Sequence, residues 1–345
     1  MRFGLFGSAT ARHGGPDVDS GQGYEQFVEY NVEAEALGYH STFLVEHHFT
    51  GFGQVSASLS LLTWVAAKTK TLRLGTAVLV LPWHNPVLVA EQAGTIDLLS
   101  GGRLDFGVGK GYRHNEFAGF CLPIEEADAR FNESLDVIVK SWTSKQRFSH
   151  HGKYWNFEDI IVEPPTAQKP HPPIWMGAGN PDSIRQVAAR GFNLLLDQFA
   201  SFEVVAERIA IFKSAVEERG RVFDPYEVGV ARAFHVAKNA ADKEAALERR
   251  MEAQRRLAII SNPPGGKSKA SIMAFSDTRE ASEESALYGT PDEIAAKLDK
   301  LRKLGVEYVL LNGGGLVGHA QDSLPRFARE VMPAFLDESR ARVVG

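Results

Sequence analysis

Residues able to do chemistry gather at three places along the chain. The first is Thr42-Phe43-Leu44-Val45-Glu46-His47-His48-Phe49-Thr50-Gly51-Phe52-Gly53, where an apolar run stops abruptly at an acid and two adjacent histidines. A buried parallel strand has this look when it delivers polar side chains at its carboxyl end. Neutral imidazole accepts or donates a proton near physiological pH, so a histidine held there by a neighbouring acid suits a general base, a general acid or an anion stabiliser. The same residues would also serve a plainer arrangement, in which one histidine caps the strand and the other packs. The second place is Lys110-Gly111-Tyr112-Arg113-His114-Asn115-Glu116-Phe117, with Arg130 further along. Two cations converging there would hold a phosphate by charge and forked hydrogen bonds, while each taken singly is as readily a solvated surface charge. The third is Gly177-Ala178-Gly179-Asn180 before Pro181-Asp182-Ser183. A glycine-rich turn that exposes backbone N–H groups at a helix start is an anion site, although glycines also serve a tight turn.

The elements that must position these residues alternate regularly. Arg2 to Gly7 is a first strand, and Tyr24 to Leu37 repeats Phe27, Val28, Val32, Ala36 and Leu37 at helical spacing before Gly38. Ser41 to Val45 follows as the second strand, which completes a βαβ unit. The rhythm continues with a helix over 58–68, a strand over 72–82, a helix over 86–99, a strand over 102–109 and a helix over 125–142. It breaks at 147–172 into histidines, aromatics and prolines, an insertion with hairpin character carried by 154–157 and 160–162. Strands over 173–179, 193–196, 226–237 and 307–312 then alternate with helices over 180–190, 202–219, 242–259, 290–304 and 322–338. The stretch 262–285 has no clear period and is expected to be a lid or binding loop. Eight strands alternating with helices, without a linker or composition shift, predict one (β/α)8 barrel domain over 1–345 in place of a doubly wound sheet with a second domain.

Composition narrows the partners. The chain has 345 residues, 44% of them hydrophobic, and a formal net charge of −5 with both signs interspersed. That gives no footprint for nucleic acid or an anionic membrane, and points to a small-molecule partner. No apolar run is long enough to span a bilayer, and the first seven residues lack a signal peptide's apolar segment, so a cytoplasmic location is expected. The single cysteine, Cys121, cannot form an intrachain disulfide and is expected to be a buried structural thiol. His150 and His151 are not spaced like a metal set, and no metal is expected. His13, Trp83 and His84 fall at the ends of the first and third strands, where they would line a substrate cavity or simply pack in loops.

Taken in order, these segments resemble the bacterial luciferase-like monooxygenase family. The resemblance is carried by Phe3-Gly4, Leu44 through Thr50, Leu74-Gly75-Thr76-Ala77-Val78 through Pro82, Ser100-Gly101-Gly102-Arg103, Phe106 through Gly109, Glu116-Phe117, and Tyr288-Gly289-Thr290-Pro291 with Glu293. The Glu-His-His-Phe segment is close to that of the luciferase α subunit. The resemblance implies a flavin-dependent monooxygenase on a (β/α)8 barrel. Reduced FMN, supplied by a separate NAD(P)H:flavin reductase, would react with O2 to give a C4a-(hydro)peroxyflavin that oxidises a small organic substrate. It implies His47 as the catalytic residue, with Glu46, Ala77, Val78, Lys110, Tyr112, Arg130, Ala178, Gly179, Asn180 and Ser183 about the cofactor. The Ala77–Val78 bond matches a non-prolyl cis peptide beneath the flavin ring. Lys110 replaces a phosphate-binding arginine, which keeps the charge and loses the fork, while Gly109 replaces a reactive cysteine and Gln198 a tryptophan, and these last two put light emission in doubt. The segment 263–285 matches the mobile lid, with Lys267 and Lys269 expected to be poorly ordered. A homodimer is expected, with Leu59, Leu61, Leu62 and Val87-Leu88-Val89 offering a seam. Two alternatives stay open: an F420-dependent oxidoreductase of the same family, and a flavin-binding protein without turnover.

Overall fold

The computed structural model describes residues 1–11, 17–266, 268, 270–274, 276, 278–313 and 322–336. Eight strands form its centre: β1 Arg2–Gly7, β2 Ser41–Leu44, β3 Arg73–Thr76, β4 Leu104–Gly109, β5 Ile174–Gly177, β6 Asn193–Leu196, β7 Val228–Val236 and β8 Tyr308–Asn312. Each pairs in parallel with the next, and β8 pairs back onto β1, so the sheet closes. The expected (β/α)8 barrel is what forms. These strands are short and apolar because both of their faces are buried, one by barrel interior and one by helices.

β7 shows how the two faces divide. Val228, Val230, Phe234 and Val236 join the large core between sheet and helices, whereas Ala231 joins the interior with Phe43, Trp175, Leu195, Tyr308 and Leu310. A charged pair lies at its edge: the part-buried Arg73 guanidinium donates to both oxygens of the buried Asp105 at 2.7 and 2.8 Å, and Trp175 Nε1 donates to the same carboxylate at 3.1 Å.

Helices follow the expected alternation with small changes in their bounds, and the departures have local causes. The third strand is interrupted after Thr76 and resumes at Leu79–Val80, which pairs with the end of β4; the Ala77–Val78 bond between the two pieces is cis. The helix expected over 322–338 ends at Glu330, where Pro333 lies too close to continue the ladder, and finishes as a 3-10 turn at Met332–Phe335. The insertion is an antiparallel hairpin, with Phe148–His151 paired to Asn156–Ile160. Among the described residues of 262–285, Ser271–Met273 is a 3-10 turn, and Arg279–Ser285 is a helix capped by Thr278. A short strand absent from the sequence reading, Leu287–Gly289, extends the edge of β7. Lys267, Lys269 and His13 lie outside the described residues.

Two expectations are corrected. Cys121 is exposed, not buried; it has a left-handed φ of 55° just beyond the helix His114–Gly119, where the chain turns outward. Leu59, Leu61, Leu62 and Val89 cannot form a dimer seam because they pack into the core, and the exposed apolar side chains on those helices are Trp64, Leu88, Leu98 and Leu99. No helix among the described residues is long and apolar enough to cross a membrane.

Candidate active site

The carboxyl end of β2 leads into a loop tied down by backbone bonds. Val45 N donates to Gly7 O, and His47 N donates to Val55 O, both at 3.0 Å. This fixes three successive polar side chains in different directions.

Glu46 turns inward and is almost wholly buried. Its Oε1 accepts from His48 Nε2 at 2.7 Å, His84 Nε2 at 2.6 Å and Trp83 Nε1 at 3.1 Å, while Oε2 accepts from Val80 N at 2.9 Å. Burial by itself would raise the pKa of this carboxyl group. The hydrogen bonds from His48 and His84 outweigh burial and hold it at about 2. An ionised carboxylate only accepts, so both histidines present a protonated Nε2 to it. The donor atoms of Glu46, His48 and His84 lie within 4.8 Å of one another, close enough for a metal set; here they bond to each other instead. Around His48 stand Phe49, Trp83 and Phe120, with Trp83 stacked on Phe120 at 5.1 Å.

His47 turns the other way, with 15% of its side chain exposed. Arg113 Nη2 lies 3.0 Å from His47 Nε2, and Glu116 Oε1 lies 3.0 Å from Nδ1. A guanidinium only donates, so Nε2 must be the acceptor and Nδ1 must carry the proton toward Glu116. Glu116 also accepts the backbone N–H of His48 at 3.0 Å, which steadies it. Burial pushes the His47 pKa down, the adjacent Arg113 pushes it further, and Glu116 opposes both with a net lowering. The result is a neutral imidazole of one tautomer. Arg113 is itself 4% exposed; its Nη1 lies 3.8 Å from Glu116 Oε1, but neither Nη1 nor Nε has a hydrogen-bond partner among the described residues, nor has Asn115 Oδ1. Orphaned buried donors of this kind mark a place where a bound group completes the bonding.

Beside β2, Ala77 N donates to Leu44 O at 2.8 Å, which sets the Ala77–Val78 peptide next to the histidine loop. A Cβ on Gly109 would collide with the Val78 side chain, and Gly177 lies 3.6 Å from it by the same construction. Glycine at the end of β4 thus lets Val78 form a low floor beside the ends of β4 and β5. Trp83 and His84, expected either to line a substrate cavity or to pack in loops, both donate to Glu46 Oε1.

The expected phosphate residues are not all brought together. Lys110 is exposed and its Nζ is held by Asp128 at 2.7 Å. Arg130 donates to Glu126 and stacks on Tyr154 at 4.4 Å. Tyr112 lies under the Arg113 guanidinium at 5.8 Å. Ala178 N bonds to Leu195 O, and Asn180 caps the helix Pro181–Ala189 by accepting from Ser183 N at 2.9 Å. The cation nearest this turn is one the sequence reading passed over: a Cβ on Gly179 would lie 3.0 Å from Arg208 Nη2 and 2.5 Å from Ser271 Oγ. Arg113 and Arg208 were both missed because nothing in their immediate sequence distinguishes them from solvated charges. The i,i+3 spacing of Arg113 and Glu116 was the only available signal.

A closed barrel whose carboxyl end holds a neutral, relay-bound imidazole defines an enzyme scaffold of the (β/α)8 class. A family model described as luciferase-like monooxygenase matches residues 1–308, and the chain belongs to that family. It is 27% identical over 97% of its length to the oxygenase component of a flavin-dependent trigonelline monooxygenase from Acinetobacter baylyi, covering 96% of that protein. It is 26% identical over 89% of its length to an FMNH2-dependent dimethylsulfone monooxygenase from Pseudomonas putida, covering 87% of that protein. An F420-dependent glucose-6-phosphate dehydrogenase from Amycolatopsis mediterranei is also similar, at 26% identity over 90% of this chain and 94% of that protein. Among solved structures, the monooxygenase RslO1 from Streptomyces bottropensis superposes with a TM-score of 0.84 at 25% identity, over 97% of this chain and 100% of that one.

Proposed function

We propose that the protein is a monooxygenase that uses reduced FMN and O2 to oxidise a small organic substrate, with a separate NAD(P)H:flavin reductase as the source of the reduced flavin. The observation that carries this reading is His47, a neutral imidazole with its tautomer fixed by Glu116, one strand away from the glycine-flanked floor at Ala77–Val78. The residues fit the cofactor: the floor would lie under a flat ring, and the Gly179-Asn180 turn with Ser183 would receive a phosphate, with Lys110 reaching it by leaving its exposed pair with Asp128 and Arg130 by leaving Glu126 and Tyr154. Bound reduced FMN would supply the electrons and the oxygen-activating ring.

The chain's own residues supply the rest. Glu46 holds His48, His84 and Trp83 as one wall of the site. Glu116 keeps the His47 proton on Nδ1, which leaves Nε2 as the atom that can take a proton. Arg113 occupies that atom until a substrate oxygen accepts its N–H, whereupon Nε2 is freed beside the same oxygen. The aromatic group around His48 offers an apolar wall, in keeping with a small carbonyl, alkane or aromatic substrate.

The test is oxygen uptake and product formation with enzymatically supplied FMNH2 over a panel of aldehydes, ketones and aromatic compounds. His47→Ala should abolish product while leaving FMN affinity within about threefold, as a proton-transfer residue outside the binding contacts would. Hydride transfer with reduced F420, without oxygen uptake on FMNH2, would overturn the proposal in favour of the deazaflavin reading. Tight FMN binding with no turnover by wild type on any substrate would favour the flavin-binding reading. We further propose a homodimer joined through the face carrying Trp64, Leu88, Leu98 and Leu99; a monomer in sedimentation would refute it.

A further inference from the structure

The long helix Ala240–Ser261 carries two buried polar side chains one turn apart, Arg250 at 6% and Gln254 at 4% exposure, and both spend their hydrogen bonds on other elements. Arg250 Nε donates to Ser282 O at 3.2 Å, and its Nη2 donates to Ser285 Oγ at 3.0 Å, both on the helix Arg279–Ser285. The same Nη2 donates to Gln198 O at 3.2 Å, just beyond β6, and the guanidinium stands 5.7 Å from the Phe199 ring. Gln254 accepts from Ser282 Oγ at 2.7 Å. One buried cation is thus shared between two segments that lie far apart in the chain.

Each segment has further ties of its own. Beyond β6, Asp197 Oδ1 accepts from Phe199 N at 2.9 Å and Ala200 N at 3.0 Å, and Gln198 Oε1 accepts from Asn312 Nδ2 at 2.9 Å, at the end of β8. On the helix, Thr278 Oγ1 accepts from Ala281 N at 3.3 Å at the start, and Lys297 Nζ donates to Glu283 O and Ala286 O at 2.7 Å at the end. Between the two segments is a cavity of about 200 Å³, lined by Asp197 and Ala200 and by Ala281 and Ser285. A void gives up dispersion contact on that side, and among the described residues the hydrogen bonds that join the segments run through Arg250. Outside it, Lys300 reaches Glu203 at 2.9 Å and Glu284 at 3.9 Å, but these side chains are about half exposed and such pairs hold weakly.

Lifting the helix would leave Arg250 with Gln198 O alone while its guanidinium stayed among buried side chains. A buried cation that loses most of its acceptors has to move toward others, and it takes the Gln198 carbonyl with it or abandons it. We propose that Arg250 couples the helix Arg279–Ser285 to the β6 exit, so that the two dock and release as one unit. Ser271, earlier in the segment that leads to the helix, fills the space a Gly179 side chain would need, so the unit borders the barrel rim at that turn. Coupling of this kind is reciprocal: whatever steadies the β6 exit steadies the helix, and the reverse.

Hydrogen exchange of the full chain, read by mass spectrometry on peptides spanning 279–286 and 197–200, tests the proposal, with peptides of β1 as the reference. Thr278→Ala weakens the start of the helix and leaves Arg250 in place. Exchange should quicken roughly fivefold in 279–286 and about threefold in 197–200, with β1 unchanged. Arg250→Met should quicken both segments, and Arg250→Lys should do so less. In the Arg250→Met chain, adding Thr278→Ala should quicken 279–286 further and leave 197–200 where Arg250→Met alone put it, because the link is already gone. Lys297→Met loosens the other end of the helix and should give the same paired response as Thr278→Ala, which keeps the test intact should Arg250→Met fail to fold. Quickening confined to 279–286 in both Thr278→Ala and Lys297→Met overturns the coupling, as does a Thr278→Ala effect on 197–200 that persists in full without Arg250. The measurement uses no flavin, so its outcome is separate from that of the turnover assays.

Discussion

Replacing Glu46 by glutamine tests the electrostatic centre of the site at nearly constant shape. The carboxylate accepts four N–H donors, and its pKa falls from 4.5 to about 2 on folding because those bonds outweigh its burial. A depressed carboxyl pKa contributes stability that is complete above the unfolded value and is lost as pH falls through the folded one. The shift corresponds to roughly 3 kcal/mol at neutral pH. Glutamine keeps one acceptor oxygen for the two histidines and Trp83 but turns its other atom into a donor facing Val80 N–H, which adds about 1 kcal/mol or more for the orphaned group. Guanidinium unfolding followed by tryptophan fluorescence should therefore place Glu46→Gln about 3 to 4 kcal/mol below wild type at about pH 7. At about pH 3.5 the unfolded chain has taken up much of the proton while the folded carboxylate stays ionised, and the gap should shrink by roughly 1.4 kcal/mol. A gap under about 1 kcal/mol at neutral pH, or one that does not change with pH, would refute the assignment of Glu46 as an ionised acceptor of four donors.

Other perturbations separate the remaining parts. Arg113→Met removes a charge that lowers the His47 pKa, so the acid limb of the pH–rate profile should move to higher pH; an unmoved limb would show that His47 does not report through Arg113. Glu116→Gln removes the charge that raises that pKa and also the tautomer lock, so the limb should move to lower pH while turnover falls by roughly a hundredfold or more. Gly109→Ala places a methyl group against Val78 and should weaken FMN binding about tenfold or more through displacement of the floor, checked by equilibrium dialysis. Asp105→Asn leaves Arg73 facing a neutral partner among buried side chains and should cost about 3 to 5 kcal/mol in denaturant unfolding, with little change if the pair is dispensable.

What the residues disclosed, and what they withheld, follows from how far each signal reaches. The eight strands were legible because a strand covered on both faces must be a short apolar run, and such a run ends visibly at Glu46, Gly109 and Gly179. The Glu46-His47-His48 step was legible for the same reason. Its wiring was not, since which histidine meets Glu46 and which meets Glu116 is decided by backbone bonds to Gly7 and Val55 that no local pattern announces. Cations were the hardest to place. Lys110 and Arg113 stand three residues apart on one loop, yet Gly111 at a φ of 78° reverses the chain between them, leaving Lys110 exposed with Asp128 and Arg113 buried on His47. Arg208 lies seven residues into the helix begun by Ser201, and its partner Asp197 belongs to the preceding strand end. A charge on a helix is usually solvated, so only the closed sheet, which carries the β6 end and the Gly179 turn to the same rim, reveals Arg208 as a buried group held on Asp197.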